Sequence, residues 1–167
     1  MNKNKTAHKS LTDTHTQCLG VCQDNAETVR YVIPGKPIGK ARPRFRNSHV
    51  YTPEKTQAYE QLSKTLYRAA AKGVFFDKGT PVRIFIEAHF PIPESASKKQ
   101  KQSMASGKVM HMSRPDADNI AKIILDSLNK TAFYDDAQLV DVRVQKRYGT
   151  EPCVIVTVEK YKEITDG

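Results

Sequence analysis

Two carboxylates stand two residues apart in the stretch 114–122, and a lysine follows them one helical turn later. Asp116 and Asp118 repel each other unless a cation lies between them. Oxygen ligands without a nearby His or Cys suit Mg²⁺, or Mn²⁺ as its substitute, and these ions carry bound water and accept phosphate oxygens. Lys122 would offset negative charge that develops on a phosphate in a transition state. These residue types would suit metal-assisted chemistry at a phosphate group.

A second acidic pair, Asp135 and Asp136, lies in the turn predicted between this segment and the next strand. Either residue would add a further oxygen ligand. Asp126 lies too far along the helix to share a metal with the first pair, at about 12 Å for eight residues. We therefore expect Asp126 to pair with Lys122 or Lys130 as a supporting residue.

Each of these residues also has an ordinary structural role. Asp is common at helix N-caps, and Asp-Asp pairs are common in turns. Lys122 lies four residues after Asp118, which suits a salt bridge on a helix surface. From spacing alone, capping is the commoner role, so the metal site stands as one of two interpretations.

Within this stretch, a helix is predicted to start at Asp116 or Asp118 and to continue to Lys130. Pro115 biases the residue before it away from the helical conformation, which places the helix start here. At 3.6 residues per turn, one face is polar and carries the first-turn acid and the lysine. The other face is apolar and comprises Ile120, Ala121, Ile124, Leu125 and Leu128.

The remaining elements follow from periodicity and from Pro and Gly positions. Strands are predicted at Val29–Ile33, Val82–Phe90, Leu139–Tyr148 and Cys153–Glu159. A first helix is predicted from Thr52-Pro53-Glu54, where the Thr52 hydroxyl would cap the helix, to a C-cap at Gly73. Its apolar positions are Tyr59, Leu62, Leu66 and Ala69, and residues 94–112 are predicted to be a lysine-rich loop. The order β-α-β-α-β-β predicts an α/β or α+β fold with a small mixed sheet and two main helices. We expect one domain over residues 28–163 and a disordered polar tail over 1–27.

Basic residues outnumber acidic ones by 27 to 18, a net charge of +9. Such an excess suits binding to a polyanion, although a basic but freely solvated loop is the alternative. One basic cluster, with no acid inside it, comprises Lys36, Lys40, Arg42, Arg44 and Arg46. A second comprises Lys98, Lys99, Lys101 and Lys108. The candidate phosphate-binding residues are Lys36, Lys40, Arg42, Arg44, Arg46 and Arg114.

Three cysteines, an odd number without framework spacing, argue against a disulfide scaffold. A structural zinc on His8, His15, Cys18 and Cys22 is an alternative that needs a cage the tail is not expected to form. No apolar run is long enough to span a bilayer. We therefore expect a cytoplasmic protein with no membrane contact and no small-molecule cofactor.

The motifs taken together resemble those of the RusA-type Holliday-junction resolvases. The stretch from Asp116 to Lys122 is similar to the family's D-x-D-N-x-x-K run, and 135–138 to its D-D-A-Q segment. Pro34-Gly-Lys-Pro, 40–45 (Lys-Ala-Arg-Pro-Arg-Phe) and Tyr51-Thr-Pro are similar to the opening of phage-type members, which favours a prophage origin. Two spaced motifs in the right order are more specific than either alone and favour the catalytic interpretation over capping.

This resemblance implies that Asp116, Asp118 and Asp136 bind the metal, with Asp135 as a further candidate, and that Lys122 is the catalytic lysine. It also implies an Mg²⁺-dependent homodimer that makes paired cuts across a four-way DNA junction in recombination and repair. The tail and the 94–112 segment are not expected in the shortest members of the family. We expect this difference to affect substrate preference more than the catalytic chemistry. The alternative class is a non-catalytic module that binds branched DNA or RNA.

Overall fold

A computed structural model describes residues 27–41, 44–46 and 49–162, and it places side chains within 27–41 and 52–162. The predicted tail and the zinc alternative on its His and Cys residues lie outside these residues, as does Arg42. For Arg44 and Arg46 only the backbone is described. Predictions for these parts of the chain stay predictions.

The described chain forms six strands and three helices. The strands are β1 (Thr28–Pro34), β2 (Arg44–Arg46), β3 (His49–Tyr51), β4 (Val82–Pro91), β5 (Leu139–Gly149) and β6 (Cys153–Lys160). The helices are α1 (Glu54–Ala71), α2 (Lys98–Ala105) and α3 (Ala117–Leu128), with one short 3-10 turn at Asp136–Gln138. The predicted mixed sheet and the two main helices are confirmed.

Four strands form one mixed sheet in the order β1-β6-β4-β5. β6 pairs antiparallel with both β1 and β4, whereas β4 and β5 are parallel. Parallel neighbours need a crossover connection, and α2 and α3 supply it. Because α3 returns the chain from the end of β4 to the start of β5, its two ends lie at opposite ends of these strands.

One face of the sheet is covered by α1 and α3. Every second residue of β4 from Val82 to Phe90 points into this core and is buried, which is the period-two pattern predicted from the sequence. A buried hydroxyl chain joins the layers: the Tyr31 hydroxyl lies 2.9 Å from Ser63 Oγ, which lies 2.7 Å from Ser127 Oγ. Ser127 Oγ donates to the carbonyl of Ile124 at 2.6 Å. These hydrogen bonds satisfy polar groups that would otherwise be costly to bury.

The predicted start and apolar face of α1 are partly wrong. Pro53 stands at the N-cap and no side chain caps the helix, whereas a capping hydroxyl of Thr52 was expected. Leu62 is exposed, and the face toward the core instead includes the polar Ser63. The hydroxyl chain explains the difference, because it lets a serine replace an apolar residue at a buried position. The helix ends at Ala71, close to the predicted C-cap.

Two further elements were not predicted. Residues 94–112 were expected to be a loop but contain α2, whose N-cap Ser97 forms a capping box with Gln100. The segment before α1 contains the antiparallel hairpin β2–β3. Neither element has the long apolar period that makes an element visible in a sequence. No helix in the described residues is both long and apolar enough to cross a membrane.

Candidate active site

The first acidic pair lies at the exposed N-terminus of α3. Asp116 is the N-cap residue, but its side chain makes no cap hydrogen bond. Asp118 lies in the first turn, and its Oδ2 is 3.2 Å from Lys122 Nζ. The hydrogen bond from Lys122 lowers the pKa of the Asp118 carboxyl below its usual value. This carboxylate is therefore ionised at neutral pH and already attracts a cation.

An open cleft of about 680 Å³ adjoins this helix end. The cleft is lined by the acid Asp116 and by two basic residues. Lys36 lies in the loop after β1, and Arg114 lies three residues before α3 begins. Gly39 packs against α3 so closely that a Cβ there would lie 2.9 Å from the Cβ atoms of both Pro115 and Asn119. The glycine thus permits the loop that carries Lys36 to reach the site.

Lys40 also lines this cleft, but its ammonium group has two carboxylate partners. Its Nζ lies 2.5 Å from Glu60 Oε1 and 2.7 Å from Asp126 Oδ2. Burial alone would lower the pKa of Lys40, but the hydrogen bonds to Asp126 and Glu60 outweigh it and raise the pKa. This arrangement ties the loop to α1 and α3 and disfavours the predicted contact between Lys40 and DNA.

The partner of Asp126 differs from the expected one. Asp126 was expected to pair with Lys122 or Lys130, which are its neighbours on a helical surface, and that expectation is wrong. A tertiary contact with Lys40 takes precedence, because the loop passes directly over α3. Such a partner is invisible to an argument from helical spacing alone.

The second acidic pair lies beyond the other end of α3. The Asp135 side chain caps the 3-10 turn by accepting from the Ala137 amide at 3.0 Å. That hydrogen bond lowers the pKa of Asp135, and the positive charge of Lys130 lowers it further. Lys130 Nζ is 3.8 Å from Asp135 Oδ2. Asp135 is therefore engaged in local structure, and Asp136 is the exposed member of the pair.

Gln138 is the last residue of the D-D-A-Q segment, but no structural role was predicted for it from the sequence. Its Nε2 donates to the carbonyls of Asp77 and Thr80 at 2.7 and 3.0 Å, and its Oε1 accepts from the Asp135 amide at 3.0 Å. The side chain therefore fixes the acidic turn to the chain just before β4. The signal in the sequence was a Gln at the third position after Asp135, which is the capping-box pattern.

The two acidic pairs do not meet within one chain. α3 has 12 residues, about 18 Å at 1.5 Å per residue. Asp116 and Asp118 precede or open this helix, whereas Asp136 follows it, beside a separate cleft of about 510 Å³ lined by Asp135. Among the described residues, no three His, Cys, Asp or Glu side chains converge as metal ligands. A metal site built from all three acids of a single chain does not fit this geometry.

Comparison with known proteins decides which family these motifs represent. The family model of the endodeoxyribonuclease RusA matches residues 34–159 of the chain. The chain belongs to the RusA endodeoxyribonuclease family. The match spans both acidic pairs, Lys122 and all elements from the end of β1 to β6, so the fold described above is a RusA-family fold.

A curated relative is similar to most of the chain. The uncharacterised protein YqaN of Bacillus subtilis (strain 168) is 31% identical over 140 residues, which cover 80% of this chain and 97% of that protein. The lysine-rich segment with α2 lies within the part of the chain that the RusA family model matches.

Proposed function

We propose that this RusA-family chain is an Mg²⁺-dependent endodeoxyribonuclease that resolves four-way DNA junctions by paired phosphodiester cuts. The single observation that carries the proposal is the family match, which places both spaced acidic motifs within one endodeoxyribonuclease domain. The exposed acids at the N-terminus of α3 and the basic lining of the adjoining cleft support it. The protein would act in the cytoplasm on recombination or repair intermediates.

The residues at the α3 end have complementary roles in this proposal. Lys36 and Arg114 hold phosphates of the DNA backbone beside the acids, where bare carboxylates would repel it. Lys122 moves from its ion pair with Asp118 to the phosphate as negative charge develops on that group. Asp116 and Asp118 would hold Mg²⁺, which when bound would lower the pKa of a water molecule and offset phosphate charge. The Asp118 side chain is 62% exposed and lies 3.2 Å from Lys122 Nζ, which supports a role for this carboxylate in binding a cation.

A homodimer would remove the separation between the two acidic pairs. β5 is an edge strand, and on it Val140 and Val142 are 56% and 37% exposed. These apolar side chains suit a contact with a second copy. A two-fold axis near the middle of α3 would invert the partner's helix and bring the partner's Asp136 toward Asp116 and Asp118. Each dimer would then hold two equivalent sites, which matches the approximate two-fold symmetry of a junction.

Cleavage of a synthetic four-way junction tests the proposal. The full-length protein is incubated with the junction, and with a linear duplex of the same sequence, with Mg²⁺, with Mn²⁺ or with a chelator. We expect symmetric cuts in the junction only when a divalent ion is present, and an intact duplex. Equal cutting of the duplex would contradict junction selectivity, and cutting in the chelator would contradict metal dependence.

The geometry of one chain also favours a second candidate. Because no three acids converge in the described residues, a non-catalytic module that binds branched DNA or RNA is compatible with the same basic cleft. Tight junction binding without cleavage in either metal would favour this module over the nuclease.

A further inference from the structure

An apolar segment next to the candidate active site is left uncovered. Met112 is 89% exposed, the highest value among the large hydrophobic side chains of the described residues. Val109 and Met110, in the same segment, are each 38% exposed. Met112 stands two residues before Arg114 and four before Asp116. Exposed apolar side chains clustered beside a functional site indicate an interaction surface.

This segment is held in place rather than loosely attached. His111, between the two methionines, stacks on Phe90 with ring centroids 3.7 Å apart, and its edge faces Tyr148 at 5.2 Å. Lys146 Nζ donates to the carbonyl of Ser113 at 2.6 Å. Because the segment is anchored to the sheet at two points, the backbone at Met112 is held in a fixed position, and little backbone entropy is lost when it binds.

The charges around this segment indicate which kind of partner it binds. Lys108 and Arg114 flank it in sequence, no acid lies between them, and Lys36 is near enough to help lower the pKa of His111, after burial and Lys146. A symmetric contact between two copies of this patch would place like charges together. A polyanion would instead be attracted to its cationic border and present phosphates to it.

We propose that Met112 inserts at the branch point of the DNA and stacks on the bases that are exposed there. This inference rests on the proposed function and names the feature of the substrate that the enzyme reads. In the open form of a four-way junction, the base pairs at the branch point lack a stacking neighbour on one face, which leaves an apolar surface framed by phosphates. Methionine is apolar and polarizable, and proteins use it as a wedge between base steps. The basic flanks would hold the surrounding backbone.

Insertion of Met112 is tested directly by measuring base stacking at the branch point. A four-way junction carrying 2-aminopurine beside the crossover, and a linear duplex with the same label, are titrated with wild-type protein in a chelator so that no cleavage occurs. Insertion changes the 2-aminopurine fluorescence of the junction but not of the duplex. We expect Met112→Ser to abolish that change and to weaken junction binding about fivefold, with duplex binding unaltered. Met112→Leu should retain both properties, because it keeps an apolar side chain of similar size.

Controls separate the possible failures. Leu62→Ser removes an exposed apolar side chain elsewhere, on α1, and should behave as wild type. An unchanged fluorescence response in Met112→Ser would overturn the wedge while leaving the nuclease assignment standing. Dissociation of a wild-type dimer by Met112→Ser, measured by sedimentation, would show that a second copy covers this residue and would also overturn it. If wild type itself does not prefer the junction to the duplex, junction selectivity fails first and the wedge fails with it.

Discussion

Asp118 and Lys122 are the residues on which the chemistry depends most. Their ion pair joins two side chains that are each 62% exposed. Such a pair contributes little to stability, because water and salt screen the attraction between two exposed charges. A functional role for the pair is therefore separable from a structural one by mutation.

Substituting Asp118 by Asn should abolish cleavage without loss of binding. The amide keeps the shape of the side chain but removes the charge that attracts a divalent ion, so we expect the cleavage rate to fall roughly 100-fold or more. Junction affinity in a chelator should be retained, because a carboxylate near phosphate is repulsive without a metal. Asp77→Asn changes another exposed acid and serves as the matched control. Wild-type rates in Asp118→Asn would remove this residue from the site.

Two lysines of the same cleft should respond differently to substitution. Lys40→Met leaves Glu60 and Asp126 without their partner, and we expect the free energy of unfolding to drop by about 1 kcal/mol. Lys36→Met should leave stability unchanged but weaken DNA binding, and it should reduce the slope of log affinity against log salt by about one. Urea unfolding and salt titration measure the two effects. An unchanged salt slope in Lys36→Met would show that this lysine does not contact phosphate.

At the scale of elements, the acidic turn and the chain before β4 form one unit through Gln138. The side chain is buried, and it is hydrogen-bonded to four backbone groups. The turn that carries Asp136 is therefore positioned by a glutamine whose partners lie about 60 residues earlier in the chain.

Replacing Gln138 by Leu should destabilise the protein. The leucine fills similar space but leaves the backbone partners of the amide without hydrogen bonds, and we expect a loss of about 2 kcal/mol in the free energy of unfolding. Gln102→Leu on the exposed surface of α2 should change it by less than about 0.5 kcal/mol. Urea denaturation of both variants measures the difference. Equal stability of the Gln138 variant and wild type would mean that the anchor does not hold the turn.

The elements differ in how far the sequence predicts them. β4 and α3 are predicted well because one face of each is buried and the apolar residues therefore recur with a fixed period. α2 was missed because it buries none of its residues and has no such period. The apolar face of α1 was misjudged because Ser63 occupies a core position through hydrogen bonds that only the folded chain supplies.

For the whole molecule, the parallel pairing of β4 and β5 has the largest consequence for function. The sequence places Asp116, Asp118 and Asp136 within 21 positions of one another, and the prediction treated them as one site. Strand direction could not be predicted from periodicity, and it is the crossover that sends the two acidic pairs to opposite ends of α3. The candidate residues were thus found from motifs, whereas their distribution in space required the fold.

The most direct test of the central claim mixes two inactive variants. Asp118→Asn and Asp136→Asn are each inactive if both residues serve the metal, and the two chains are unfolded together and refolded to form mixed dimers. If sites are shared between copies, each mixed dimer has one site with both acids intact. We then predict restored nicking of one junction strand, together with about one functional metal site per mixed dimer by Mn²⁺ titration. A mixture that contains mixed dimers, remains inactive and regains no metal site, beside an active wild type, would contradict the shared site.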